Sequence, residues 1–457
     1  MIRESENKSN LKFQSLKITG QSSLSGKINI SGAKNSALVL LAASLLTKEK
    51  VFIDNIPELT DVQKMKNILK SLGVELLGNK STLIINSKDL QACELPYELV
   101  NSLRASFFCI GPLLARLGEA SLALPGGCKI GKRPIHEHIK GLRALGAKIH
   151  IKEGFVKAKI NTKNKRLTGS NIELDCPSVG ATETLVMAAT LAEGKTTIRN
   201  AAREPEIQDL CQMLNKMGAK IEGAGESQII INGVEELKGC SHKVIPDRIE
   251  AGTFLIAAAA TLSSVTISPV IPKHLESVLN KLRESGSELK IKNTSISIKT
   301  KSIKSTNIET APFPGFPTDL QAPFTALMAI ADGESKITET IFEKRMSHIN
   351  LLNKMGASIR TEHNIAFIKG VKELNGAKLL GSDLRSTAAI IIAALTANSE
   401  SIIGGLEHLD RGYDNFESKL NTLGANITRE ADNNNFFLET KLIMKSSNNS
   451  SKVYKAA

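Results

Sequence analysis

A short phrase that ends a helix at a glycine and then begins an apolar strand occurs six times in this 457-residue chain. The six glycines lie at positions 73, 146, 218, 286, 356 and 424, so consecutive copies are 73, 72, 68, 70 and 68 residues apart. Such regular spacing indicates that one supersecondary unit is repeated along the chain. Six units divide most simply into two domains of three units each.

Each repeated unit contains two helices of different character. One is apolar on nearly every face, as at 37–46 and 387–395, so it must be buried on all sides. The other is amphipathic, as at 207–217, and is expected to cover a sheet with its apolar face. The closing glycine suits the left-handed residue that ends a helix, and a pair of strands follows it. The sequence therefore predicts an α/β fold of six βαβαββ repeats, in which sheets and outer helices enclose buried helices.

The predicted boundary between the two domains lies near Pro246. The first domain comprises residues 34–246, with repeats one to three and a mobile cysteine loop at 121–134. The second comprises 1–33 plus 247–457, with repeats four to six and a polar C-terminal tail in which 436–438 closes the last hairpin. A strand at 27–31 is expected to pair with the distant half. The chain then crosses twice between the domains, and the cleft between them is the expected site.

Composition excludes several classes of protein. The 59 Lys and Arg exceed the 46 Asp and Glu, which gives a net charge of +13 and suits nucleic acid or small anions. No Trp, three Tyr and no basic helix disfavour a nucleic-acid platform. The six cysteines form no CxxC pair, and neither a signal peptide nor a membrane span is apparent. We therefore expect a cytoplasmic protein. We also expect a monomer, because no unit shows an extra exposed apolar stripe.

Basic residues recur where helices are predicted to start, although the positive end of the helix dipole disfavours them there. Lys34, followed by Asn35, opens the first buried helix, Arg133 the second amphipathic helix and Arg411 the sixth. One alternative is that these residues only pair with acids such as Asp410. Recurrence at similar corners favours an anion site, because free N–H groups and a cation then point at one ligand. The recurring residues are Lys34, Arg104, Arg133, Arg345, Arg385 and Arg411.

A glycine- and proline-rich stretch at 124–134 predicts a mobile loop with a cysteine near its centre. Cys128 lies close in sequence to Lys129, Lys132 and Arg133, which favours the thiolate and therefore reactivity. The alternative is a structural cysteine. By itself the loop predicts a lid that carries a reactive thiol.

Eight motifs, taken together, resemble the UDP-N-acetylglucosamine 1-carboxyvinyltransferases of the enolpyruvyl transferase family. They are Ser-Gly-Ala-Lys-Asn-Ser-Ala at 31–37, Leu-Arg-Ala-Ser at 103–106, Leu-Pro-Gly-Gly-Cys-Lys-Ile-Gly at 124–131, Arg-Glu-Pro-Glu at 203–206, Pro-Asp-Arg-Ile at 246–249, Phe-Pro-Thr-Asp-Leu-Gln at 316–321, Asp-Leu-Arg-Ser at 383–386 and Asp-Arg-Gly-Tyr at 410–413. The resemblance covers roughly residues 16 to 430. It implies a two-domain inside-out α/β barrel and enolpyruvyl transfer from phosphoenolpyruvate to the sugar nucleotide, the first committed step of peptidoglycan synthesis.

The resemblance also implies roles for individual residues. Cys128 would protonate the enol carbon, and Asp319 would act as the base at the sugar 3-hydroxyl, although Asp319 could also cap a helix that begins at Leu320. The residues implied for phosphoenolpyruvate are Lys34, Asn35, Arg133, Arg411, Arg104 and Arg385. Those implied for the sugar nucleotide are Arg104, Arg133, Pro134, Ile135, His136, Glu137, Ser178, Val179, Gly180, Asp319 and Ile341. The supporting residues are Asp383 and Glu204, expected to hold Arg104 and Arg385 in place, with Asp247, Arg345 and Asp61.

Two positions depart from the family pattern. His136 stands where an aspartate is frequent, which affects the expected uridine contact, and Thr60 stands where a lysine is frequent. His136 and His138 could suggest a metal pair, but two histidines without a third ligand are more often exposed to solvent. We therefore expect no metal and no organic cofactor.

Two other functions compete with this hypothesis. One is the sister transferase that acts on shikimate 3-phosphate, which lacks the glycine-cysteine loop. The other is a scaffold, or a catalytically idle paralogue that binds the nucleotide sugar. The presence of Lys34, Cys128, Arg133, Asp319 and Arg411 disfavours the second alternative.

Overall fold

The computed structural model describes residues 14–79, 81–90, 94–95, 97–124, 135–161 and 165–431. Its buried apolar side chains form two separate clusters. The first draws on residues 33–244, and the second on 16–30 and 249–427. The elements around these clusters are called the first half and the second half below. The domain boundaries near Pro246 stay a prediction, which the two separate clusters support.

The first repeat follows two strands that belong elsewhere in the fold. These are β1 (Gln14–Ile18) and β2 (Ser25–Asn29). The repeat itself begins with a buried helix and continues through an amphipathic helix to a strand pair. Its elements are α1 (Lys34–Ala43), a 3-10 turn (Ser44–Leu46), β3 (Val51–Asp54), α2 (Thr60–Ser71), β4 (Glu75–Gly78) and β5 (Leu83–Asn86).

The second and third repeats complete the first half. The second contains α3 (Tyr97–Ser102), a 3-10 helix (Arg104–Cys109), α4 (Ile110–Leu117), β6 (Glu119–Ala123), α5 (His136–Ala144), β7 (Ala147–Lys152) and β8 (Phe155–Ile160). The third contains β9 (Asn171–Glu173), α6 (Val179–Ala189), β10 (Lys195–Arg199), α7 (Pro205–Lys216), β11 (Lys220–Glu222) and β12 (Gln228–Asn232). The chain then leaves through β13 (Ser241–Lys243).

The second half repeats the same order of elements. The fourth repeat contains α8 (Arg248–Ala260), β14 (Ser264–Ser268), a 3-10 helix (Pro272–Leu275), α9 (Glu276–Glu284), β15 (Glu288–Lys292) and β16 (Ser295–Lys299). The fifth contains β17 (Ile308–Glu309), a 3-10 turn (Thr318–Leu320), α10 (Gln321–Met328), β18 (Glu334–Thr338), α11 (Ser347–Lys354), β19 (Ser358–Glu362) and β20 (Ile365–Lys369). The sixth contains β21 (Lys378–Leu380), α12 (Leu384–Thr396), β22 (Ser401–Gly404), α13 (Leu406–Leu409), α14 (Phe416–Thr422) and β23 (Ile427–Ala431).

Each repeat contributes one small sheet with a common strand order. In the third repeat the order is β9-β10-β12-β11, and the fifth repeat has the same order in β17-β18-β20-β19. The first two strands of each are parallel and the remaining pairs are antiparallel. In the second repeat the described part of the first strand is a single parallel bridge between Glu94 and Ser121. The six sheets surround buried helices, and the predicted βαβαββ unit is confirmed.

The two halves exchange strands where the chain crosses between them. Strand β2 precedes α1 but pairs in parallel with β14 of the fourth repeat. Strand β13 precedes α8 but pairs in parallel with β3 of the first repeat. The expectation that the segment before α1 pairs with the distant half is therefore confirmed. The exchange brings the starts of α1 and α8 together.

The sequence predicts that residues 436–438 close the last hairpin, but a segment from the start of the chain takes the position between β22 and β23. Strand β1 lies between β22 and β23 and pairs antiparallel with both, so it fills that position. Its alternation explains the choice, because Leu16 and Ile18 are fully buried in the second cluster. The segment 436–438 itself lies outside the described residues.

The six repeat glycines have the predicted left-handed conformation, with φ between 85° at Gly73 and 105° at Gly424. A side chain is strained at positive φ, which explains why the phrase is kept in every repeat. Buried helices such as α1 and α12 are almost completely inaccessible to solvent, as their all-round apolar sequences predict. No helix in the described ranges has the length and apolar composition that crossing a membrane requires.

One premise of the predicted monomer is wrong. On the outer face of the first sheet, Phe52, Ile84 and Leu77 face one another across three adjacent strands. Phe52 is 40% exposed and Leu77 is 49% exposed, so this unit does carry an exposed apolar stripe. The oligomeric state itself stays a prediction.

Candidate active site between the two halves

The start of α1 is tied to the start of α8. The residue before α1 is Ala33, whose side chain cannot cap the helix. The Lys34 amide instead donates to Asp247 Oδ2 at 3.0 Å, from across the two halves. Asp247 Oδ1 caps α8 by accepting from the amides of Ile249 at 2.7 Å and Glu250 at 3.0 Å. One carboxylate therefore fixes two helix starts, a role that suits aspartate.

Two cations from opposite halves share the buried carboxylate of Asp61. Lys34 Nζ lies 3.6 Å from Asp61 Oδ2, and Arg411 Nε donates to Oδ1 at 2.8 Å. Beside them, the Thr60 amide donates to the Asp410 carbonyl at 3.0 Å. Burial lowers the pKa of Lys34, with Arg385 and Arg411 adding to the decrease and Asp61 opposing it. The Lys34 ammonium is thus a cation that a further negative charge would stabilise.

Arg411 does not open the sixth amphipathic helix, as the sequence predicts. That helix, α14, begins at Phe416, and Arg411 follows the short helix α13. Its guanidinium reaches Asp61 at the start of α2 and remains 39% exposed. The Arg411 side chain therefore faces the boundary between the halves from the segment between α13 and α14, and not from a helix start.

Asp319 lies between two guanidinium groups. Arg385 Nη2 donates to its Oδ2 at 2.7 Å, and Arg345 Nη2 donates to its Oδ1. Burial raises the pKa of the carboxyl, but Arg385 and Arg345 outweigh burial and hold the pKa well below its usual range. Asp319 is therefore ionised at neutral pH. It does not cap a helix: α10 begins at Gln321 and has no side-chain cap, so that alternative is wrong.

Asp383 holds Arg385 through the backbone. Its carboxylate accepts from the amides of Arg385 at 2.9 Å and Ser386 at 3.1 Å, and Ser386 returns a bond to complete a capping box. The Arg385 guanidinium also lies 5.5 Å from the centre of the Tyr413 ring. This arrangement aims a buried arginine at Asp319.

Among the described residues Glu204 does not contact Arg385, contrary to the prediction, and its predicted contact with Arg104 stays a prediction. Its Oε1 accepts from the Phe313 amide of the second half at 3.3 Å. Arg385 contacts Asp319 instead, and Arg104 begins its 3-10 helix half-buried. Glu204 belongs to a different region of the boundary between the halves.

Residues implied for the sugar nucleotide come together at the starts of α5 and α6. Ser178 caps α6 by accepting from the Ala181 amide at 3.4 Å, and Val179 and Gly180 follow in the first turn. Across from them, a side chain at Gly180 would lie 3.2 Å from His138 Nε2. The residues brought to this corner are Ile135, His136, Glu137, Ser178, Val179 and Gly180.

Of the two histidines expected to be exposed to solvent, only one is. His136 is exposed, but His138 is buried, and its ring packs edge-on against Phe107 with 5.3 Å between centroids. Ligand atoms of His136, Glu137 and Asp175 lie within 4.8 Å of one another, close enough to hold a cation. Asp175 already accepts from Lys140, and the Asp175 amide donates to Glu137 Oε2 at 3.1 Å. These contacts account for both acids without a metal.

Sequence reasoning misses an ion pair that crosses between the halves. Arg248 Nε donates to Glu206 Oε1 at 3.2 Å, and both side chains are largely buried. Burial raises the pKa of the nearby Glu183 well above its usual value, and Glu206 and Glu204 raise it further. The motifs at 203–206 and 246–249 contain these residues, but nothing in either motif indicates that they meet.

The boundary between the halves thus contains two charged regions of different composition. The cation-rich region consists of Lys34, Arg345, Arg385 and Arg411 with Asp61 and Asp319. The acid-rich region consists of Glu183, Glu204 and Glu206 with Arg248.

Part of the predicted site cannot be placed. Residues 121–123 of the predicted loop form the end of β6, which corrects the start of that loop. Cys128, Arg133 and Pro134 lie outside the described residues. Asn35 follows Lys34 in the first turn of α1, and Ile341 follows β18.

The comparisons with known proteins agree over nearly the whole chain. A family model described as EPSP synthase (3-phosphoshikimate 1-carboxyvinyltransferase) matches residues 18–420. A UDP-N-acetylglucosamine 1-carboxyvinyltransferase of Prochlorococcus marinus strain MIT 9312 is 68% identical over 95% of this chain and 96% of its own. One from strain NATL2A is 60% identical over 91% of each chain.

Solved structures show the same fold at low sequence identity. The enolpyruvyl transferase NikO from Streptomyces tendae is 23% identical, with a TM-score of 0.82 over 92% of this chain and 99% of its own. An EPSP synthase from Acinetobacter baumannii is 20% identical, with a TM-score of 0.71 over 91% of this chain and 100% of its own. The predicted enolpyruvyl transferase fold is therefore confirmed. With relatives at 68% identity over almost its full length, the chain belongs to the UDP-N-acetylglucosamine 1-carboxyvinyltransferases, within the family that the EPSP synthase model describes.

Proposed function

We propose that this protein transfers the enolpyruvyl group of phosphoenolpyruvate to the 3-hydroxyl of UDP-N-acetylglucosamine and releases phosphate. The observation that carries the proposal is the pair of cations from opposite halves, Lys34 and Arg411, that share a single carboxylate, Asp61. Positive charge remains there for a ligand that carries both a phosphate and a carboxylate. The finer parts of the proposal are a role in peptidoglycan synthesis, a cytoplasmic location and a monomer.

The reaction requires one proton to leave the sugar hydroxyl and one to reach the enol carbon. Addition gives a tetrahedral ketal, and loss of phosphate from it, together with a proton from the former enol carbon, restores the double bond. We assign Cys128 as the proton donor and Asp319 as the base. A general acid and a general base each contribute about 10²–10⁴ in rate. Asp319 has the ionised form that a base needs, although its two arginine partners weaken it as a proton acceptor.

Cations position the phosphoenolpyruvate and stabilise charge in the transition state. Lys34 and Arg411 are assigned to this role with Asn35, Arg104, Arg133 and Arg385. Preorganised cations in a water-poor site stabilise developing charge because they need not reorient during the reaction. Because Lys34 and Arg411 come from different halves, binding between them would draw the halves together and exclude water.

The sugar nucleotide is assigned to the corner formed by the starts of α5 and α6, with Asp319 and Ile341 on the opposite half. Free amides at a helix start bind phosphate oxygens. Backbone groups can therefore serve the nucleotide even though His136 replaces the aspartate frequent in the family.

Phosphate release with two acceptors tests the proposal. Purified protein is incubated with phosphoenolpyruvate and either UDP-N-acetylglucosamine or shikimate 3-phosphate. We expect phosphate release when UDP-N-acetylglucosamine is the acceptor and no release when shikimate 3-phosphate is the acceptor. Release only with shikimate 3-phosphate would support the sister activity. Calorimetric binding of the sugar nucleotide without any turnover would support a catalytically idle paralogue.

The role of Cys128 has its own test. Cys128→Ala is expected to abolish or severely slow phosphate release and to block alkylation by the epoxide fosfomycin. Cys176→Ala is the control, because Cys176 is an exposed free cysteine in the described part of the chain. Full activity of Cys128→Ala would remove this thiol from the mechanism.

A further inference from the structure

A buried carboxylate directly after β18 gathers four hydrogen bonds. Glu339 is 2% exposed. Its Oε1 accepts from the Thr310 hydroxyl at 3.0 Å and from the amides of Ile341 at 2.8 Å and Phe342 at 3.1 Å. Its Oε2 accepts from the Thr318 hydroxyl at 2.8 Å. Burying a carboxylate is costly unless it is hydrogen-bonded, and here both oxygens have partners.

Two of these bonds fix the turn that carries Ile341. Consecutive amides at 341 and 342 point at one carboxylate oxygen, so the backbone between β18 and α11 has little freedom to rotate. The Phe342 ring is held from its other side, because the Arg345 guanidinium lies 5.2 Å from its centre. The position of the Ile341 side chain therefore depends on Glu339.

The bond from Thr318 connects Glu339 to Asp319. The Thr318 hydroxyl donates to Glu339 and accepts from Arg345 Nη1 at 2.9 Å. The other terminal nitrogen of Arg345 donates to Asp319 Oδ1. Glu339 thus acts on the Asp319 carboxylate through one hydroxyl and one guanidinium, without touching it.

We propose that Glu339 is a positioning residue for the acceptor: it holds Ile341 and Asp319 in a fixed relation, so that the sugar nucleotide meets both at once. The inference rests on the proposed function, in which those two residues face the sugar nucleotide. Lys34 and Arg411 lie in a different set of contacts, and Arg385 keeps its own bond to the other oxygen of Asp319. Glu339 therefore acts mainly on the acceptor and has little effect on phosphoenolpyruvate binding.

Glu339→Gln is the main test, because it keeps the shape of the side chain. A glutamine amide nitrogen donates but does not accept, so at least one of the four donors loses its partner. We expect the Kd for UDP-N-acetylglucosamine, measured by calorimetry, to rise about tenfold, the size of effect usual for one charge-assisted hydrogen bond. The KM for phosphoenolpyruvate is expected to stay within about twofold, since no contact to its site is removed.

Thr318→Val is a milder second variant. It removes the hydroxyl between Glu339 and Arg345 but keeps both amide bonds to the turn. We expect the Kd for the sugar nucleotide to rise about threefold, less than in Glu339→Gln, because the two amide bonds that hold the turn remain. If Glu339→Gln does not fold, this variant still tests the connection to Asp319.

Ser335→Ala is the matched structural control. Ser335 lies in β18 on the same strand, is buried and accepts from the Thr306 amide at 3.1 Å. Ser335→Ala should lower Tm without changing the Kd for the sugar nucleotide or the KM for phosphoenolpyruvate. An unchanged Kd for the sugar nucleotide in Glu339→Gln, or in Thr318→Val, overturns the inference. Equal weakening for both substrates also overturns it, because a merely structural role predicts that result.

The wild-type protein separates this inference from the function on which it rests. No phosphate release by folded wild-type protein contradicts the proposed function and the inference together. Normal release by the wild type, with unchanged acceptor binding in the variants, contradicts only the role of Glu339.

Discussion

The two regions along the boundary between the halves have opposite charge balances. In the cation-rich region, four cations face two carboxylates. In the acid-rich region, three carboxylates face one arginine, Arg248. Each region crosses between the halves, through Arg411 and Asp61 in the first and through Arg248 and Glu206 in the second.

The regions differ in how the excess charge is compensated. In the acid-rich region the protein compensates by binding a proton, because the pKa of Glu183 is raised well above its usual value. In the cation-rich region the pKa of Lys34 is lowered, mainly by burial, so the site is short of negative charge. A proton is always available in water, whereas negative charge must come with a ligand. The comparison therefore supports the proposal that the cation-rich region binds substrate, and it indicates that the acid-rich region couples the two halves structurally.

Lys34→Ala should have the largest effect. It removes a cation that the proposed mechanism uses for charge stabilisation, so kcat/KM for phosphoenolpyruvate should fall by about 10²–10³. Steady-state phosphate release measures this loss. Lys17→Ala is the control, because Lys17 pairs with Glu400 on the surface at 3.0 Å. A Lys34 variant that matches the control would break the assignment of the cation-rich region to substrate binding.

Arg248→Met should mainly affect stability. It leaves Glu183, Glu204 and Glu206 without their arginine, and breaking the buried pair with Glu206 costs about 3–5 kcal/mol. The pKa of Glu204, already raised by burial and by Glu206, rises further when Arg248 is removed. Carboxylates with raised folded-state pKa values stabilise the protein at low pH and lose that contribution as pH rises.

The loss of Tm in Arg248→Met should therefore be larger at pH 8 than at pH 5, as measured by calorimetry at both values. Arg199→Met, at an exposed position of β10, is the control. An equal loss at both pH values would mean that the acid-rich region does not compensate by taking up protons.

The sequence predicts these two regions unequally. The repeat glycines, the buried helices and the helix starts at Lys34 and Arg385 follow from local patterns of hydrophobicity and turn chemistry, and the structure confirms them. The ion pair between Arg248 and Glu206 joins residues from two repeats whose relative placement depends on the exchange of β2 and β13. No local pattern encodes that pairing.

Two misplaced predictions and one missed residue have the same physical origin. The sequence predicts that 436–438 closes the last hairpin, whereas β1 takes the position between β22 and β23 because its apolar residues match the second cluster. Asp319 looks like a helix cap, but Arg345 from later in the same repeat and Arg385 from the sixth repeat take its oxygens. Glu339 gives no signal at all, since a glutamate after a strand is ordinary until its four donors are seen in three dimensions.

Asp61→Asn sharpens the comparison within the cation-rich region. Asp61 raises the pKa of Lys34 against the effect of burial, so the variant should lower that pKa further. Lys34 then loses its proton at a lower pH, and the alkaline limb of the kcat/KM profile should shift to lower pH. A shift of one pH unit corresponds to about a tenfold loss on that limb.

The pH profile of phosphate release, measured from about pH 6 to 10, tests this prediction. Asp54→Asn is the control, because Asp54 only accepts from the Thr82 hydroxyl at 2.8 Å, in the same half. A uniform loss at every pH would mean that Asp61 positions Arg411 without tuning Lys34.

Glu183→Gln should have the smallest effect of these variants, and it should raise the stability of the protein where Arg248→Met lowers it. Glu183 lies in α6, 1% exposed, with its Oε2 lacking a hydrogen-bond partner among the described residues. Burial, Glu206 and Glu204 raise the pKa of this carboxyl well above its usual value of 4.5, so the folded protein holds the proton to a higher pH than the unfolded chain does. Folding therefore takes up a proton, and this contribution to stability is lost as pH rises.

Glutamine cannot ionise, so Glu183→Gln should remove the loss of stability that wild type suffers as pH rises. The gain in stability over wild type should be larger at pH 8 than at pH 5, by about 1 kcal/mol or about 2–4 °C in Tm. Phosphate release should not change, because Glu183 lies outside the cation-rich region. A gain in Tm of equal size at both pH values would instead reflect better hydrogen bonding by the amide, and the proton would then not be what balances the acid-rich region.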